Sequence, residues 1–211
     1  MGLADGSVKD GATVPSPKER LHLAAFWPDS TVNGPGRRAV VWFQGCSRDC
    51  AGCCNPQFQA HDRGKRVTVA EVAEQIVRLR QIEGVTYSGG EPLEQLSALV
   101  SLMRITAEAG LSQMVYTGYT YGEITAKART QPLFAELLRR VDLMLCGPFR
   151  PELRQSLHYA PSSNQELIAV SEQYRAWVLH TASTCTARHE VRLTEDGELL
   201  LTGLPFPHTD S

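Results

Sequence analysis

The 211-residue sequence predicts an α/β fold on a mainly parallel sheet, with a β-hairpin near the C-terminus. Three observations predict it. From residue 37 to 149, strand-like apolar runs alternate with helix-like stretches, the pattern of βα units. The run Ala39-Val-Val-Trp-Phe43 is continuously apolar, as befits a strand covered on both faces of a parallel sheet. Cys46, Gly89, Gly118 and Gly147 each follow a strand-like run. Parallel sheets gather their sites at those ends.

The elements follow in order. Met1 to Lys18 is rich in Gly, Ser, Pro and Asp and reads as a disordered tail. Leu21 to Phe26 is a first strand, followed by a turn-rich loop from Pro28 to Gly36. Arg37 to Phe43 is the first core strand. Thr68-Val-Ala-Glu71 is a capping box, and Val69, Val72, Ile76 and Leu79 recur at helical spacing, so a helix is expected over Val69 to Gln81. Gly84 breaks it before a short strand, Val85-Thr-Tyr87, that ends in Ser88-Gly-Gly-Glu-Pro92. A second helix runs from Leu93 to Ala109, with Gly110 as its stop. Met114 to Thr117 is a strand, helical stretches reach Arg140, and Asp142 to Cys146 is another strand. Leu167 to Val170 is a strand after a polar loop. Asp196-Gly197 between Val191 and Thr202 is a hairpin signal.

Composition excludes several classes. Charged residues make up 21% and the net charge is -2, so no general nucleic-acid or membrane surface is indicated. No apolar run is long enough for a transmembrane helix, and the N-terminus lacks a secretory core segment. The expected location is the reducing cytoplasm, where clustered cysteines bind metal more often than they form disulfides.

Four of six cysteines are clustered: Cys46, Cys50, Cys53 and Cys54. The first three have the spacing Cys-x-x-x-Cys-x-x-Cys. Thiolates hold iron–sulfur clusters. Three of them on a four-iron cluster leave one iron free to bind a small molecule, as a catalytic zinc keeps an open position. A zinc site is the alternative, with Cys54 as a fourth ligand, although adjacent cysteines rarely reach one metal. His61 reads as a loop residue. Cys146 reads as a packed core thiol and Cys185 as a free one. In Ser88 to Pro92, glycines let the backbone approach a ligand, and Glu91 could pair with an ammonium or orient its loop. An ordinary strand-to-helix turn with Pro at the first helical position is the plain reading of that motif. Arg37-Arg38 reads as a solvated strand start or as a ligand contact. Trp42 and Phe43 read as core, and Tyr116 or Tyr119 as core or adenine contacts.

With both motifs in view, the chain resembles the radical S-adenosylmethionine (SAM) superfamily. It is most similar to activating proteins of anaerobic ribonucleotide reductase, and less so to pyruvate formate-lyase activating enzymes. The matching residues are Gly34-Pro-Gly36 with Arg37; Gly45-Cys46, Cys50, Gly52-Cys53 and Asn55; Ser88 to Pro92; Tyr116-Thr-Gly-Tyr119; Asp142 with Gly147-Pro-Phe149; and Ser162-Ser-Asn-Gln165. The resemblance implies an incomplete (β/α) barrel, open on one side, with residues 19–180 as the core domain and 181–211 as an extension carrying the hairpin. It implies Cys46, Cys50 and Cys53 as ligands of a [4Fe-4S] cluster. Gly52, Cys53 and Cys54 would lie against SAM, Ser88, Gly89, Gly90 and Glu91 at its methionine end, and Thr117 and Gly118 at its ribose or sulfonium. The implied oxidoreductase chemistry cleaves SAM reductively and takes a hydrogen atom from a glycine of a partner glycyl-radical enzyme, such as anaerobic ribonucleotide reductase. Flavodoxin or ferredoxin would donate the electron. Two other readings stay open: a radical SAM enzyme acting on a peptide or small molecule, and a non-catalytic iron–sulfur or zinc protein.

Overall fold

A computed structural model describes residues 19–155, 159–184, 188–193 and 199–203. The expected tail at 1–18, Cys185 and the Asp196-Gly197 turn lie outside them. Strands β1 (Arg20–Ser30), β2 (Arg38–Phe43), β3 (Lys65–Thr68), β4 (Gly84–Gly89), β5 (Ser112–Thr117), β6 (Leu143–Cys146) and β7 (Glu166–Ala169) form one seven-stranded sheet. Its order is β3-β1-β2-β4-β5-β6-β7. β2, β4, β5 and β6 pair in parallel, while β1 and β7 run against their neighbours. Strands β8 (His189–Leu193) and β9 (Leu199–Gly203) pair as a separate antiparallel hairpin, as the sequence led us to expect. The fold is thus a mixed α/β architecture whose centre is parallel.

Among the described residues the helices are α1 (Val69–Val77), α2 (Leu96–Glu108), α3 (Tyr121–Ala128), α4 (Pro132–Arg140) and α5 (Arg175–Thr184). Helix α1 starts at the expected capping box, Thr68 accepting from the Glu71 amide and Glu71 from Thr68. It stops four residues short of the expected Gln81, which itself adopts a left-handed φ of 66°. The stretch expected to open α2 at Leu93 is a 3-10 turn, Pro92–Gln95.

Strand alternation sorts the sheet's two faces. Val41, Phe43, Val85, Tyr87, Val115, Met144 and Cys146 belong to a core that also contains Ile76, Leu99, Leu102 and Leu137 of the helices. Tyr87 meets its polar need there by bonding Thr106 at 2.9 Å and Gln113 at 2.7 Å. On the other face Trp42 packs with Trp27 and Val40 in a smaller core, and Trp42, Ser88, Tyr116 and Leu145 line a cavity.

Arg38 corrects the solvated strand start expected of Arg37-Arg38. Only Arg37 is exposed, paired with Asp29 at 2.9 Å. Arg38 is 0% exposed. Its guanidinium donates to Thr86 Oγ1 at 2.8 Å, Val85 O at 2.8 Å, Ser112 O at 3.0 Å, Ser112 Oγ at 2.9 Å and Pro35 O at 3.2 Å. Burial lowers its pKa, and these acceptors offset the cost of desolvating the charge. The residue ties β2 to β4 and β5 at the end opposite the cysteine loop.

Candidate iron–sulfur and SAM site

The cysteine loop leaves β2 at Gln44 and is anchored by its own backbone. Gly45 N donates to Phe58 O at 2.8 Å, Cys46 N to Gln59 O at 2.9 Å, and Cys53 N to Cys50 O at 3.1 Å. Cys46, Cys50, Cys53 and Cys54 are all free thiols of intermediate exposure. Burial raises Cys46 to about 11 and Cys54 to about 11, and raises Cys53 as well. A metal that binds them therefore displaces protons. Cys146, by contrast, is packed in the core, where burial pushes it up to about 12.

The Ser88 to Pro92 segment is fastened to that loop. Gly90 N donates to Phe43 O at 2.7 Å and Glu91 N to Gly45 O at 2.9 Å. A side chain at residue 90 would bring Cβ to 2.2 Å from Gly45 O, and Gly89, at φ +109°, would bring one to 2.5 Å from Phe43 N. The glycines thus allow two strand-end loops to touch.

Glu91 carries the connection onward. It is 1% exposed, yet its carboxylate accepts from Leu93 N at 2.9 Å, Thr117 Oγ1 at 2.8 Å and Gly118 N at 2.9 Å. Arg48 Nε lies 3.6 Å away, and its guanidinium stacks 4.0 Å over the Tyr119 ring. Burial raises the Glu91 pKa against these donors. The carboxylate thereby fastens its own loop to the Thr117–Gly118 turn. Thr117 Oγ1 and Gly118 N are both turned to that carboxylate. Gly147 N then donates to Thr117 O at 3.1 Å and Tyr119 O at 2.9 Å. Asn164 and Gln165 donate to Pro148 O at 2.7 Å and Gly147 O at 3.0 Å. The four parallel strand ends are joined in series.

Beside them lies a cavity of about 500 Å³, lined by Cys53, Cys54, Asn55, Ser88 and Tyr116 from the expected motifs. Its other walls include Trp27, Trp42, Leu145, Tyr159 and, from the hairpin, Leu201 to Gly203. Trp42, in the core as expected, and Tyr159 give no local signal of this further role, since non-local packing brings them here. Asn33 bonds Thr202 at 2.8 Å, and Glu190 accepts from Thr31 N at 2.7 Å, which seats the hairpin.

Among the described residues, no three Cys, His, Asp or Glu side chains come together as the ligands of one metal ion would. A four-iron cluster instead takes each thiolate on a separate iron. The donor set fits it: three thiols in one loop, an apolar cavity beside Cys53, and a buried Asn164 Oδ1 without a hydrogen-bond partner in the adjoining loop.

Three thiolates leave one iron free for a small ligand, and the adjoining cavity is of small-ligand size. The class this defines is the radical SAM iron–sulfur protein. A family model described as a 4Fe-4S single cluster domain matches residues 32–168, and the chain belongs to that family. It is 30% identical over 156 residues to the anaerobic ribonucleoside-triphosphate reductase-activating protein of Escherichia coli K12, covering 69% of this chain and 96% of that protein. The protein of the same name from Enterobacteria phage T4 is 31% identical over 155 residues, covering 70% and 93%. The pyruvate formate-lyase-activating enzyme of Clostridium pasteurianum is 36% identical over 120 residues, 54% of this chain. The chain spans 46% of that enzyme.

Proposed function

We propose that this chain is a radical SAM activase that installs a glycyl radical on a partner enzyme. The observation that carries the reading is the serial joining of the strand ends, from Gly45 through Gly90 and Glu91 to Gly118 and Gly147. It makes one site of motifs that lie far apart in sequence. Cys46, Cys50 and Cys53 would hold the [4Fe-4S] cluster. When bound, the cluster supplies the electron that splits SAM into methionine and a 5′-deoxyadenosyl radical.

The chain's own residues bind and orient. Ser88 and Cys54, on the cavity wall, would contact SAM together with Gly52. An ammonium needs acceptors, and the amides of Gly90 and Glu91 are already engaged, so carbonyls of the Ser88–Glu91 loop would receive the methionine end. Glu91 holds that loop against Thr117 and Gly118, which would contact the ribose or sulfonium region of SAM. Trp42, Tyr116 and Leu145 would exclude water from the reacting atoms. An incomplete barrel over residues 19–180, with 181–211 as an extension, would leave a side entrance for a protein loop. The chain would work in the cytoplasm, with a flavodoxin or ferredoxin as electron donor.

A second reading, modification of a peptide or small molecule, draws support from the hairpin residues in the cavity wall. One experiment separates the two. The reconstituted protein is mixed anaerobically with SAM, reductant and a glycyl-radical enzyme encoded by the same organism. The activase reading predicts a glycyl radical doublet in the electron paramagnetic resonance spectrum of the partner. Formation of 5′-deoxyadenosine with no partner radical would instead favour the second reading.

A further inference from the structure

The sheet edge beside the cysteine loop carries a concentration of fixed positive charge. β1 and β3 pair with Arg20 opposite Thr68, His22 opposite Arg66 and Leu23 opposite Lys65. Side chains alternate along a strand, so Arg20, His22 and Arg66 share a face. They line a groove of about 380 Å³ together with Gly45, His61 and Glu94. Arg20, Arg63, Lys65 and Arg66 are exposed. Among the described residues none of these four has a carboxylate within ion-pair distance. Glu94 is taken up by Ser47 N at 2.8 Å and by His61 at 3.8 Å. The excess stands against a chain of net charge -2.

The groove abuts the first thiol. Gln44 N donates to His22 O at 2.8 Å. His61 Nδ1 lies 2.4 Å from where a Gly45 Cβ would sit, and its Nε2 is 3.4 Å from Ser47 Oγ. His61 therefore touches the residues on both sides of Cys46. The groove and the cavity share no lining residue: Gly45 borders one, Cys53 and Cys54 the other. Charges on an edge strand do guard against sheet-to-sheet pairing. That role does not require them to converge on a groove floored by the loop of the first ligand.

We propose that this groove is the docking site for an acidic one-electron carrier protein, whose surface carboxylates meet Arg20 and Arg66. The electron enters through the Gly45–Cys46 segment while the cavity side stays free for SAM and substrate. One electron leaves the carrier's reduced centre and takes the cluster from the 2+ to the 1+ state, with no atom or proton transferred. The inference rests on the iron–sulfur reading of the cysteine loop.

The test uses the reconstituted full chain and two reductants, a photoreduced flavodoxin as the acidic probe and reduced methyl viologen as a small cation. Bleaching of the cluster absorbance is followed by stopped flow. Arg20→Glu with Arg66→Glu is expected to slow reduction by flavodoxin at least about tenfold, as loss of electrostatic steering does. Reduction by methyl viologen should not slow, and the wild-type flavodoxin rate should fall steeply as salt screens the charges. The milder pair Arg20→Gln and Arg66→Gln should give an intermediate rate with flavodoxin. Flavodoxin rates that are equal in wild type and variants, or flat with salt, overturn the docking site. Failure of the wild type to assemble any cluster is a separate result and sinks the iron–sulfur reading itself.

Discussion

The two faces of the central sheet are built from the same strands and do different work. On the helix-covered face, Val85, Tyr87, Val115, Met144 and Cys146 are buried among Leu, Ile and Val. One residue along each strand, Ser88, Tyr116 and Leu145 turn to the cavity. The first face supplies apolar burial and the second offers room, hydroxyls and aromatic surface. A single step in register exchanges the two roles. Stability and chemistry are therefore separable by mutation, and the joined strand ends are where they meet.

The sharpest break in that comparison uses the cysteines. Cys46→Ala, Cys50→Ala or Cys53→Ala should remove SAM cleavage to background, whereas Cys146→Ala should keep cluster absorbance and turnover. Turnover lost in Cys146→Ala but kept in Cys53→Ala would reverse the ligand assignment. Next in size is Gly90→Ala, which forces a Cβ against Gly45 O. Displacing the loops by even part of an ångström should cost about 100-fold in SAM cleavage, with a smaller change in melting temperature. Wild-type turnover in this variant would show that the two loops need not touch. On the helix face, Leu99, 0% exposed, should lose about 2–5 kcal/mol as Leu99→Ala, read by urea unfolding, while the surviving folded protein still assembles its cluster.

Cys146 also sets a pH dependence. Its thiol is raised to about 12 by burial, against about 8.5 in an unfolded chain. The unfolded state loses this proton first, so the thiol's contribution to stability is whole below about 8.5 and declines as pH rises toward about 12. Cys146→Ala should flatten that decline in denaturation curves of the metal-free protein. The smallest effect belongs to Arg37, exposed and paired with Asp29 at 2.9 Å. Arg37→Ala should change stability by less than about 1 kcal/mol, in contrast to its neighbour Arg38, where the same change strands the carbonyls of Val85 and Ser112.

The contrast between Arg37 and Arg38 also marks where sequence stops being legible. Local signals were enough for the βα alternation, the Thr68–Glu71 capping box, the thiol spacing and the strand-end glycines, because each depends on residues a few positions apart. Arg38 is invisible to such reading, since its acceptors on β4 and β5 lie 47 to 74 residues away. β3 carries no local signal because Lys-Arg-Val-Thr has little apolar character, and it forms by pairing with β1 at the edge. Tyr159 and Leu201 reach the cavity only through tertiary packing. Glu91 was recognised as special from its motif, but its partners, Thr117 and Gly118, could be found only in three dimensions.

The most direct measurement is the product of SAM incubated anaerobically with the reconstituted protein and dithionite. Radical SAM chemistry predicts 5′-deoxyadenosine and methionine in equal amounts from the wild type, and neither from Cys53→Ala. A wild-type protein that assembles a four-iron cluster yet leaves SAM intact would contradict it.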